Sequence, residues 1–184
     1  TVICFNKTDQ ADSDRIEELC EVFENSGCKI VASSVVKDEG IDELKSILHG
    51  KTTALAGPSG VGKSSILNAV FPDANSQTGD ISAKINRGKH TTRHSEIFAL
   101  PGNTYIMDTP GFTSLECDGM EAEDLRFYFN EFSDYEGRCR FNGCVHVNEP
   151  DCAVKEAVDK GVINSTRYNI YLSLYNELKS KRKY

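Results

Sequence analysis

Eight consecutive residues have the composition and spacing of a loop that binds phosphate groups. They read Gly57-Pro58-Ser59-Gly60-Val61-Gly62-Lys63-Ser64 and fit the pattern G-x-x-x-x-G-K-S. The glycines leave backbone N–H groups open to a polyphosphate, the lysine ammonium lies on the outer phosphates, and the serine hydroxyl ligates Mg²⁺. A glycine-rich turn that holds a lysine by chance is the alternative. An apolar run before the loop and a helical pattern after it favour phosphate binding, and we include the adjoining Ser65 in the site.

A second short motif suggests a carboxylate near the same phosphates. Asp108-Thr109-Pro110-Gly111 follows an apolar run that is typical of a strand. An aspartate there can hold Mg²⁺ through a water molecule, and a glycine N–H can meet a γ-phosphate. The pattern D-x-x-G is common, so it is informative only beside the phosphate loop. We predict that Asp108 and Gly111 bind nucleotide, with Asp108 reaching the metal through water.

The residues Asn6-Lys7-Thr8-Asp9 can distinguish guanine from adenine. Guanine presents N1–H and N2–H₂ donors, which a carboxylate such as that of Asp9 accepts, whereas adenine would leave the charge unpaired. Asn6 can brace the loop, and the stem of Lys7 can lie against the ring. The tetrapeptide is weak evidence by itself, but together with a phosphate loop it indicates GTP rather than ATP.

Four residues near the C-terminus have the spacing of a metal site. Cys139, Cys144, His146 and Cys152 read C-x4-C-x-H-x5-C. Three thiolates and an imidazole match a closed tetrahedral Zn²⁺ site, which leaves no open position for catalysis. A cysteine-rich loop without metal and a redox pair are the alternatives. The x4 spacing differs from the C-x-x-C of redox proteins. Cys144 and His146 are two residues apart and would face the same side of an extended segment.

Alternating strand and helix patterns predict the frame that positions these motifs. Apolar runs at residues 2–5, 29–34 and 52–56 predict buried strands, and helical periodicity predicts helices over residues 16–23, 41–48 and 63–70. This alternation predicts a layered α/β domain with a mostly parallel sheet flanked by helices. Two further runs, 96–100 and 104–107, flank Pro-Gly-Asn and predict a hairpin.

Beyond Gly111 the sequence changes to helices and loops. Apolar spacing places Leu125, Phe129 and Phe132 on one helix, and Tyr168, Tyr171 and Tyr175 on another. We predict a nucleotide-binding domain at residues 1–115 and a small helical zinc-binding domain at 116–184. In so short and loop-rich a module, a metal supplies folding free energy that a small core lacks.

Length and composition exclude several classes of protein. The chain has 184 residues, 39% of them hydrophobic, with a net charge of −7. It is therefore too small for a large multidomain machine, and it lacks the basic field that binds nucleic acid unaided. No apolar run approaches the ~20 residues that cross a bilayer, and no signal peptide is evident, so we expect a cytoplasmic protein. Because Thr1 opens inside a predicted strand, we expect a fragment of a longer protein.

The order of the motifs is unusual. In ordinary GTPases the phosphate loop comes first and N-K-x-D comes late, whereas here Asn6–Asp9 precedes Gly57. With this circularly permuted order, residues 88–93 (GKHTTR), the motif that begins at Asp108 and the downstream cysteine cluster, the chain resembles the RsgA (YjeQ) family of small-ribosomal-subunit biogenesis GTPases over essentially its whole length.

The resemblance implies further residues and partners. Ser33-Ser34-Val35 would form a second guanine-side loop with a backbone N–H facing O6, and Thr91 or Thr92 would complete the Mg²⁺ shell; we choose Thr92. It also implies GTP hydrolysis to GDP, stimulation by the small (30S) ribosomal subunit during its maturation, and contact with its rRNA. We expect a monomer. Family members carry an oligonucleotide-binding β-barrel ahead of the GTPase domain, and no such region is present in this sequence.

The residue that orients the attacking water is left open by the sequence. Many GTPases place a glutamine directly after D-x-x-G, but here that residue is Phe112, which cannot form a hydrogen bond. Intrinsic hydrolysis is therefore expected to be slow. His90 and His94 are the candidates because histidine can orient water and accept a proton near neutral pH. We choose His90, beside the predicted switch threonine, as catalytic together with Lys63 and Thr92. The alternative is that both histidines contact phosphate or are ordinary surface residues.

Two other functions remain open. A P-loop ATPase or nucleotide kinase would bind ATP tightly even after Asp9→Ala. A zinc-dependent RNA-binding module with little turnover is the other; in that case Lys63→Ala would leave the measured nucleotide turnover unchanged.

Overall fold

A computed structural model of the chain describes residues 1–72, 96–108 and 119–181, apart from the side chains of Glu96, Phe98 and Asp108. By the clustering of its contacts, the chain divides into two compact units. We call Val2–Ile16 with Val31–Leu115 the nucleotide unit, and Thr1, Glu17–Ile30 and Glu116–Tyr184 the metal unit. Among the described residues, no helix is both long and apolar enough to cross a bilayer.

Within residues 1–72 and 96–108, strands and helices follow the predicted order. The strands are β1 (Val2–Asn6), β2 (Lys29–Ser33), β3 (Thr52–Leu55), β4 (Glu96–Leu100) and β5 (Thr104–Asp108). The helices are α1 (Ser13–Phe23), α2 (Ile41–Leu48) and α3 (Lys63–Val70). Short 3₁₀ turns occur at Thr8–Gln10 and Glu24–Ser26.

The strands form two sheets, and β1 and β3 end where the predicted nucleotide-binding loops begin. One sheet pairs β1 with β2, and the other has the order β3-β5-β4. β3 and β5 run parallel, with Leu55 opposite Asp108, whereas β4 and β5 form the predicted antiparallel hairpin. Because parallel strands end at the same sheet edge, Asp108 lies beside the strand end that leads into the phosphate loop.

One apolar cluster holds the nucleotide unit together. Thr104 and Ile106 are buried while Tyr105 between them is exposed, the alternation expected of a strand with one face in the core. Helices α2 and α3 cover this core with Leu44, Leu48, Leu67 and Val70. This packing fixes the start of α3, and hence Lys63, relative to the sheet.

Residues 119–181 contain less α-helix than expected. The single helix predicted around Leu125, Phe129 and Phe132 is instead two 3₁₀ helices, Ala122–Tyr128 and Asn130–Tyr135. Phe129 between them has an extended backbone (φ −104°, ψ 94°), which breaks the α-helical register. All three side chains are still buried, so their spacing in the sequence predicted their burial correctly but predicted the wrong type of helix. Two α-helices follow, α4 (Ala153–Asp159) and α5 (Ser165–Lys181).

An aromatic cluster forms the core of the metal unit. The ring of Phe132 stacks on Phe129 and meets Tyr171 edge to face at 4.9 Å. The second half of α1 and the turn after it belong to this unit, where the side-chain N–H₂ of Asn130 donates to the Ser26 carbonyl at 2.9 Å. Gly27 permits this approach, since a Cβ there would lie 2.0 Å from Asn130 Nδ2.

Candidate functional site

Two loops far apart in the sequence meet in the nucleotide unit. Asn6, the last residue of β1, donates from Nδ2 to the Val61 carbonyl at 2.8 Å across 55 residues. Gly62 makes room for this contact, because a Cβ on it would lie 2.3 Å from Asn6 Nδ2. The segment with the predicted guanine-reading carboxylate therefore lies beside the segment with the predicted phosphate ligands.

The phosphate loop adopts a conformation that glycine makes possible. Gly57, Gly60 and Gly62 all have positive φ, at 149°, 84° and 96°. Helix α3 begins at Lys63, and the Ile66 N–H donates to the Gly62 carbonyl at 2.9 Å. Helix N-termini carry partial positive charge and free N–H groups, so this end of α3 suits an anion.

Lys63 folds back over its own loop. Its ammonium donates to the Gly57 carbonyl at 2.5 Å and to the Pro58 carbonyl at 2.9 Å. These bonds hold the positive charge beside the first two residues of the loop. Ser64 is half-buried at the start of α3, while Pro58, Ser59 and Ser65 are exposed.

The candidate base-reading loop is held by a network of serine and threonine hydroxyls. The backbone of Lys7 is left-handed (φ 68°), and the Thr8 hydroxyl donates to the Ser33 carbonyl at 3.2 Å. The Ser33 hydroxyl donates to Asn6 Oδ1 at 3.3 Å, and the Ser34 hydroxyl to Asp9 Oδ1 at 2.6 Å. Ser33 and Ser34 are fully buried. The loops at the ends of β1 and β2 are therefore hydrogen-bonded to each other, and one of these bonds orients the Asp9 carboxylate.

The side chain and the backbone of Ser34 have different hydrogen-bond partners. Its backbone N–H donates to the Glu39 carbonyl at 3.0 Å, so this N–H is already engaged. The Ser34 hydroxyl also accepts the N–H of Lys37 at 3.1 Å. Ser34 is thus placed to hold Asp9 and to close its own loop.

Several predicted site residues are not described. The backbone of Asp108 is placed at the end of β5, but its side chain is not. The predicted switch and catalytic residues His90, Thr91 and Thr92, together with Gly111 and Phe112, lie outside the described residues. Their roles stay predictions from the sequence.

The four predicted metal ligands come together in the metal unit. One ligand atom from each of Cys139, Cys144, His146 and Cys152 lies within 4.8 Å of the others. The Cys139 sulfur is 3.6 Å from His146 Nδ1 and 3.9 Å from the Cys152 sulfur, and His146 Nδ1 is 3.3 Å from the Cys152 sulfur. A tetrahedral Zn²⁺ ion places neighbouring sulfur and nitrogen ligands about 3.5–3.8 Å apart. The donor set and the spacing therefore fit zinc.

The charges around this cluster also suit a cation. Burial and neighbouring thiols raise the pKa of Cys144 to about 12, and burial raises the pKa of Cys152. Burial lowers the pKa of His146, because it disfavours the imidazolium more than Glu136 favours it. A neutral imidazole is the form that ligates metal, and a bound cation supplies the charge that ionises the thiols.

Sequence reasoning missed the groups that surround these ligands. Glu136 Oε1 lies 3.4 Å from His146 Nε2, on the opposite side of the ring from the sulfurs. The expected extended segment is also absent, since His146 has a left-handed backbone (φ 59°). Backbone N–H groups of His146 and Ala153 donate to the sulfurs of Cys144 and Cys139, both at 3.4 Å. Glu136 comes before the cysteine cluster in the sequence, and no pattern there marks it as a support for the ligands.

Comparison with known proteins places this chain in one family. Residues 1–118 match the family model described as RsgA GTPase. The small ribosomal subunit biogenesis GTPase RsgA of Agathobacter rectalis is 53% identical over 99% of this chain, and that of Caldanaerobacter subterraneus is 50% identical over 99%. The chain spans about 60% of the length of these curated relatives, 60% and 61% respectively.

Two solved structures have the same fold. The crystal structure of YjeQ from Thermotoga maritima superposes with a TM-score of 0.82 at 39% identity, covering 99% of this chain and 61% of that one. The structure of YloQ, described as a circularly permuted GTPase, superposes with a TM-score of 0.75 at 32% identity, covering 100% of this chain and 58% of that one. The permuted α/β fold expected from the motif order is thereby confirmed.

Proposed function

Since this chain belongs to the RsgA GTPase family, we propose that it binds Mg²⁺·GTP and hydrolyses it to GDP and phosphate. One observation carries this proposal: the hydrogen bond from Asn6 Nδ2 to the Val61 carbonyl at 2.8 Å. It joins the guanine-reading loop to the phosphate loop, so one nucleotide can occupy both.

Asp9 is proposed to select guanine. Its Oδ1 accepts the Ser34 hydroxyl, which fixes the carboxylate at the middle residue of the 3₁₀ turn Thr8–Gln10. A carboxylate held in this way accepts from guanine N1–H and N2–H₂ without reorganising, and adenine offers it no matching pair of donors. Lys7, which is exposed beside it, is proposed to cover one face of the ring.

Residues 57–65 are proposed to hold the phosphates. The Lys63 ammonium would exchange its bonds to Gly57 and Pro58 for bonds to phosphate oxygens, which are stronger because both partners are charged. Ser64 and Thr92 are the proposed direct ligands of Mg²⁺, and Asp108 is proposed to hold it through a water molecule; the metal neutralises the phosphate charge when it is bound. Gly111 is proposed to donate its N–H to the γ-phosphate.

Hydrolysis requires a group that holds the attacking water. Phe112 stands where many GTPases have glutamine, so we propose that His90 orients this water and accepts its proton. We expect His90→Ala to keep its affinity for GTP but to lose ribosome-stimulated turnover. A nucleotide-binding titration and a phosphate-release assay measure the two quantities separately, and unchanged stimulated turnover would rule His90 out.

The Cys₃His cluster is proposed to hold one structural Zn²⁺ ion. The donor set of three sulfurs and one imidazole nitrogen, all within 4.8 Å of one another, supports zinc, and four protein ligands leave no position for a substrate. We further propose that residues 1–115 are the GTPase domain and residues 116–184 the zinc-binding domain. Metal analysis of the purified chain should return one zinc per chain.

The cellular role is proposed from the relatives. Curated relatives of this chain carry the name small ribosomal subunit biogenesis GTPase, and we propose that this protein acts on the small subunit, with contact to its rRNA. A monomer in the cytoplasm, alternating between GTP and GDP, fits that role.

Two measurements test the proposal. The first titrates GTP, GDP and ATP into the chain and into Asp9→Ala, which should lose guanine nucleotides selectively. The second measures phosphate release by the full-length parent with and without purified small subunits, using Lys63→Ala as the inactive control. If the chain binds ATP tightly and Asp9→Ala leaves that affinity unchanged, the assignment of guanine as the base is wrong. If Lys63→Ala leaves the rate of phosphate release unchanged, the proposed activity is wrong.

A further inference from the structure

The loop that carries three of the metal ligands has an unusual backbone at its centre. This ligand loop runs from Cys144 to Cys152, and His146 within it has a φ of 59°. Non-glycine residues seldom adopt this left-handed region, and they do so where surrounding contacts impose it. Here the strained residue is a metal ligand, so the groups that impose its conformation also set the direction of its ring.

Glu149 is the main such group. Its Oε1 accepts the N–H of Val145 at 3.1 Å, and its Oε2 accepts the N–H groups of Val147 at 3.0 Å and Asn148 at 3.1 Å. These peptide groups lie on both sides of His146. One carboxylate therefore clamps the chain before and after the imidazole ligand.

Two tyrosines of α5 hold the opposite, carbonyl side of the same segment. The Tyr168 hydroxyl donates to the His146 carbonyl at 2.8 Å, and the Tyr171 hydroxyl donates to the Val145 carbonyl at 2.5 Å. Tyr171 is fully buried, and α5 is a 17-residue helix, so these donors are fixed in place. The backbone of His146 is thus held between Glu149 and α5.

The electrostatics of Glu149 agree with this geometry. Burial alone would raise its pKa, but the backbone N–H groups that donate to the carboxylate outweigh burial and hold the pKa below its usual value. The carboxylate is therefore ionised at neutral pH, the form in which both oxygens accept hydrogen bonds.

We propose that Glu149 is a positioning residue of the metal site: by clamping Val145, Val147 and Asn148 it imposes the left-handed backbone of His146 and aims Nδ1 at the three sulfurs. This role differs from that of Glu136, which faces the ring of His146 directly. The inference rests on the proposed zinc site, because without a metal the direction of Nδ1 has no consequence.

The test compares two glutamates. Glu149→Gln keeps the length of the side chain, but its NH₂ group replaces one acceptor and meets N–H donors. Glu156→Gln is the matched control, since it removes the same charge from an exposed residue of α4 whose partner is Lys160. Zinc affinity is measured by competition with a chromophoric chelator, and ligand geometry from the absorption spectrum of the Co²⁺-substituted chain.

We expect Glu149→Gln to weaken zinc binding about 10- to 100-fold and to alter the Co²⁺ spectrum, as loss of groups that support metal ligands typically does. Glu156→Gln should match the unmodified chain in both measurements. An unmodified chain without stoichiometric zinc would overturn the proposed zinc site itself. An unmodified chain that binds zinc, beside a Glu149→Gln variant with unchanged affinity and spectrum, would overturn only the positioning role.

A second variant decides the question if Glu149→Gln does not fold even with zinc. Tyr168→Phe removes only the hydroxyl that holds the His146 carbonyl, and it keeps the ring in the core. We expect it to bind zinc several-fold more weakly, with a changed Co²⁺ spectrum. A lower thermal stability without zinc, with zinc affinity and spectrum unchanged, would show a merely structural role and overturn the proposal.

Discussion

Asp9 is held in a way that makes its proposed role directly testable. Its Oδ1 accepts the Ser34 hydroxyl at 2.6 Å, so the side-chain plane is fixed and an amide can replace the carboxylate without rotation. Xanthine differs from guanine by a C2 carbonyl in place of the 2-amino group. Asp9→Asn would present an N–H₂ donor to that carbonyl.

We therefore expect Asp9→Asn to weaken GTP binding about 100-fold and to strengthen XTP binding by a similar factor, because a matched and a mismatched buried pair differ by about 3 kcal/mol. Competition of GTP, XTP and ATP against a fluorescent nucleotide measures all three affinities. A variant that loses every nucleotide equally would indicate a structural role for Asp9.

Ser34 offers a milder change at the same site. Ser34→Ala removes the hydrogen bond to Asp9 and leaves the backbone bonds to Glu39 in place. Since one such bond is worth about 1 kcal/mol, we expect the preference for GTP over ATP to fall about 5- to 10-fold. Ser59→Ala, on the exposed part of the phosphate loop, is a control that should change both affinities alike. An unchanged preference in Ser34→Ala would mean that other contacts orient Asp9.

Alanine substitutions at Gly62 and Gly60 distinguish the cost of backbone strain from the cost of a steric clash. Both have positive φ, but a Cβ on Gly62 would lie 2.3 Å from Asn6 Nδ2, whereas a Cβ on Gly60 would meet nothing within 4 Å among the described residues. We expect Gly60→Ala to cost about 1–2 kcal/mol from strain, and Gly62→Ala to cost about 1 kcal/mol more because it breaks the bond to Val61. Urea unfolding of the nucleotide-free chain measures both costs, and equal values would show that Asn6 moves aside freely.

At the scale of elements, one buried ion pair fixes the 3₁₀ region to α5. Arg167 Nε donates to Glu131 Oε1 at 2.6 Å, with the Glu131 side chain 3% exposed, and the guanidinium stacks 4.4 Å from the centre of the Phe129 ring. Removing one partner leaves a buried charge unpaired, so we expect Glu131→Ala to lower the free energy of unfolding by about 3 kcal/mol.

The control for this prediction is a second glutamate with a similar ion pair on the surface. Glu156 pairs with Lys160 at 2.6 Å on α4, but both side chains are about two-thirds exposed (66% and 65%). Such pairs contribute about 0.3–0.5 kcal/mol, so Glu156→Ala should be nearly neutral. Chemical denaturation followed by circular dichroism measures both variants, and similar losses would mean that the Arg167 pair contributes no more than a surface pair.

The elements show where sequence patterns were sufficient. Helix α3 spans the predicted residues Lys63–Val70. Its limits could be predicted because Gly62 precedes it, Pro72 follows it, and the helical pattern between them depends only on neighbouring residues. The 3₁₀ helices were missed because burial of Leu125, Phe129 and Phe132 is compatible with either helix type, and tertiary packing selects between them. The association of Glu17–Ile30 with the C-terminal residues could not be predicted either, because its contacts join residues as far apart in the sequence as Ser26 and Asn130, which are separated by 104 positions.

The candidate sites follow the same rule. Asn6, Asp9, Lys63 and the cysteine ligands could be predicted because the chemistry requires particular side chains at short, fixed spacings. Ser34, Glu136 and Glu149 contact other groups of the candidate sites, and the roles proposed for them are to hold those groups in place. Many residue types and positions can provide such support, so their roles appear only once the chain is folded.

At the scale of the whole molecule, each unit carries its own candidate ligand site. The residues proposed for nucleotide lie in one unit and the metal ligands lie in the other. We expect two ligand-specific effects on thermal unfolding. A saturating guanine nucleotide at 100 times its Kd should stabilise the nucleotide unit by about 2.7 kcal/mol, and a strong chelator should destabilise the metal unit.

Differential scanning calorimetry of the full-length parent, with GDP, with chelator and with both, measures these effects. Tryptophan is absent from this chain, so a Phe71→Trp reporter in the nucleotide unit and a Phe127→Trp reporter in the metal unit distinguish the two by fluorescence. A chelator that shifts only the Phe71→Trp signal would contradict the assignment of the metal to the C-terminal residues.

The contact between Asn6 and Val61 also bears on how the protein is made. The 55 residues that separate them require on the order of 5 s of translation. During that interval a nascent chain has its purine-reading half but no phosphate-binding half. The proposed capture of a nucleotide must therefore wait for the later segment to emerge, when strands β1, β2 and β3 have already been synthesised.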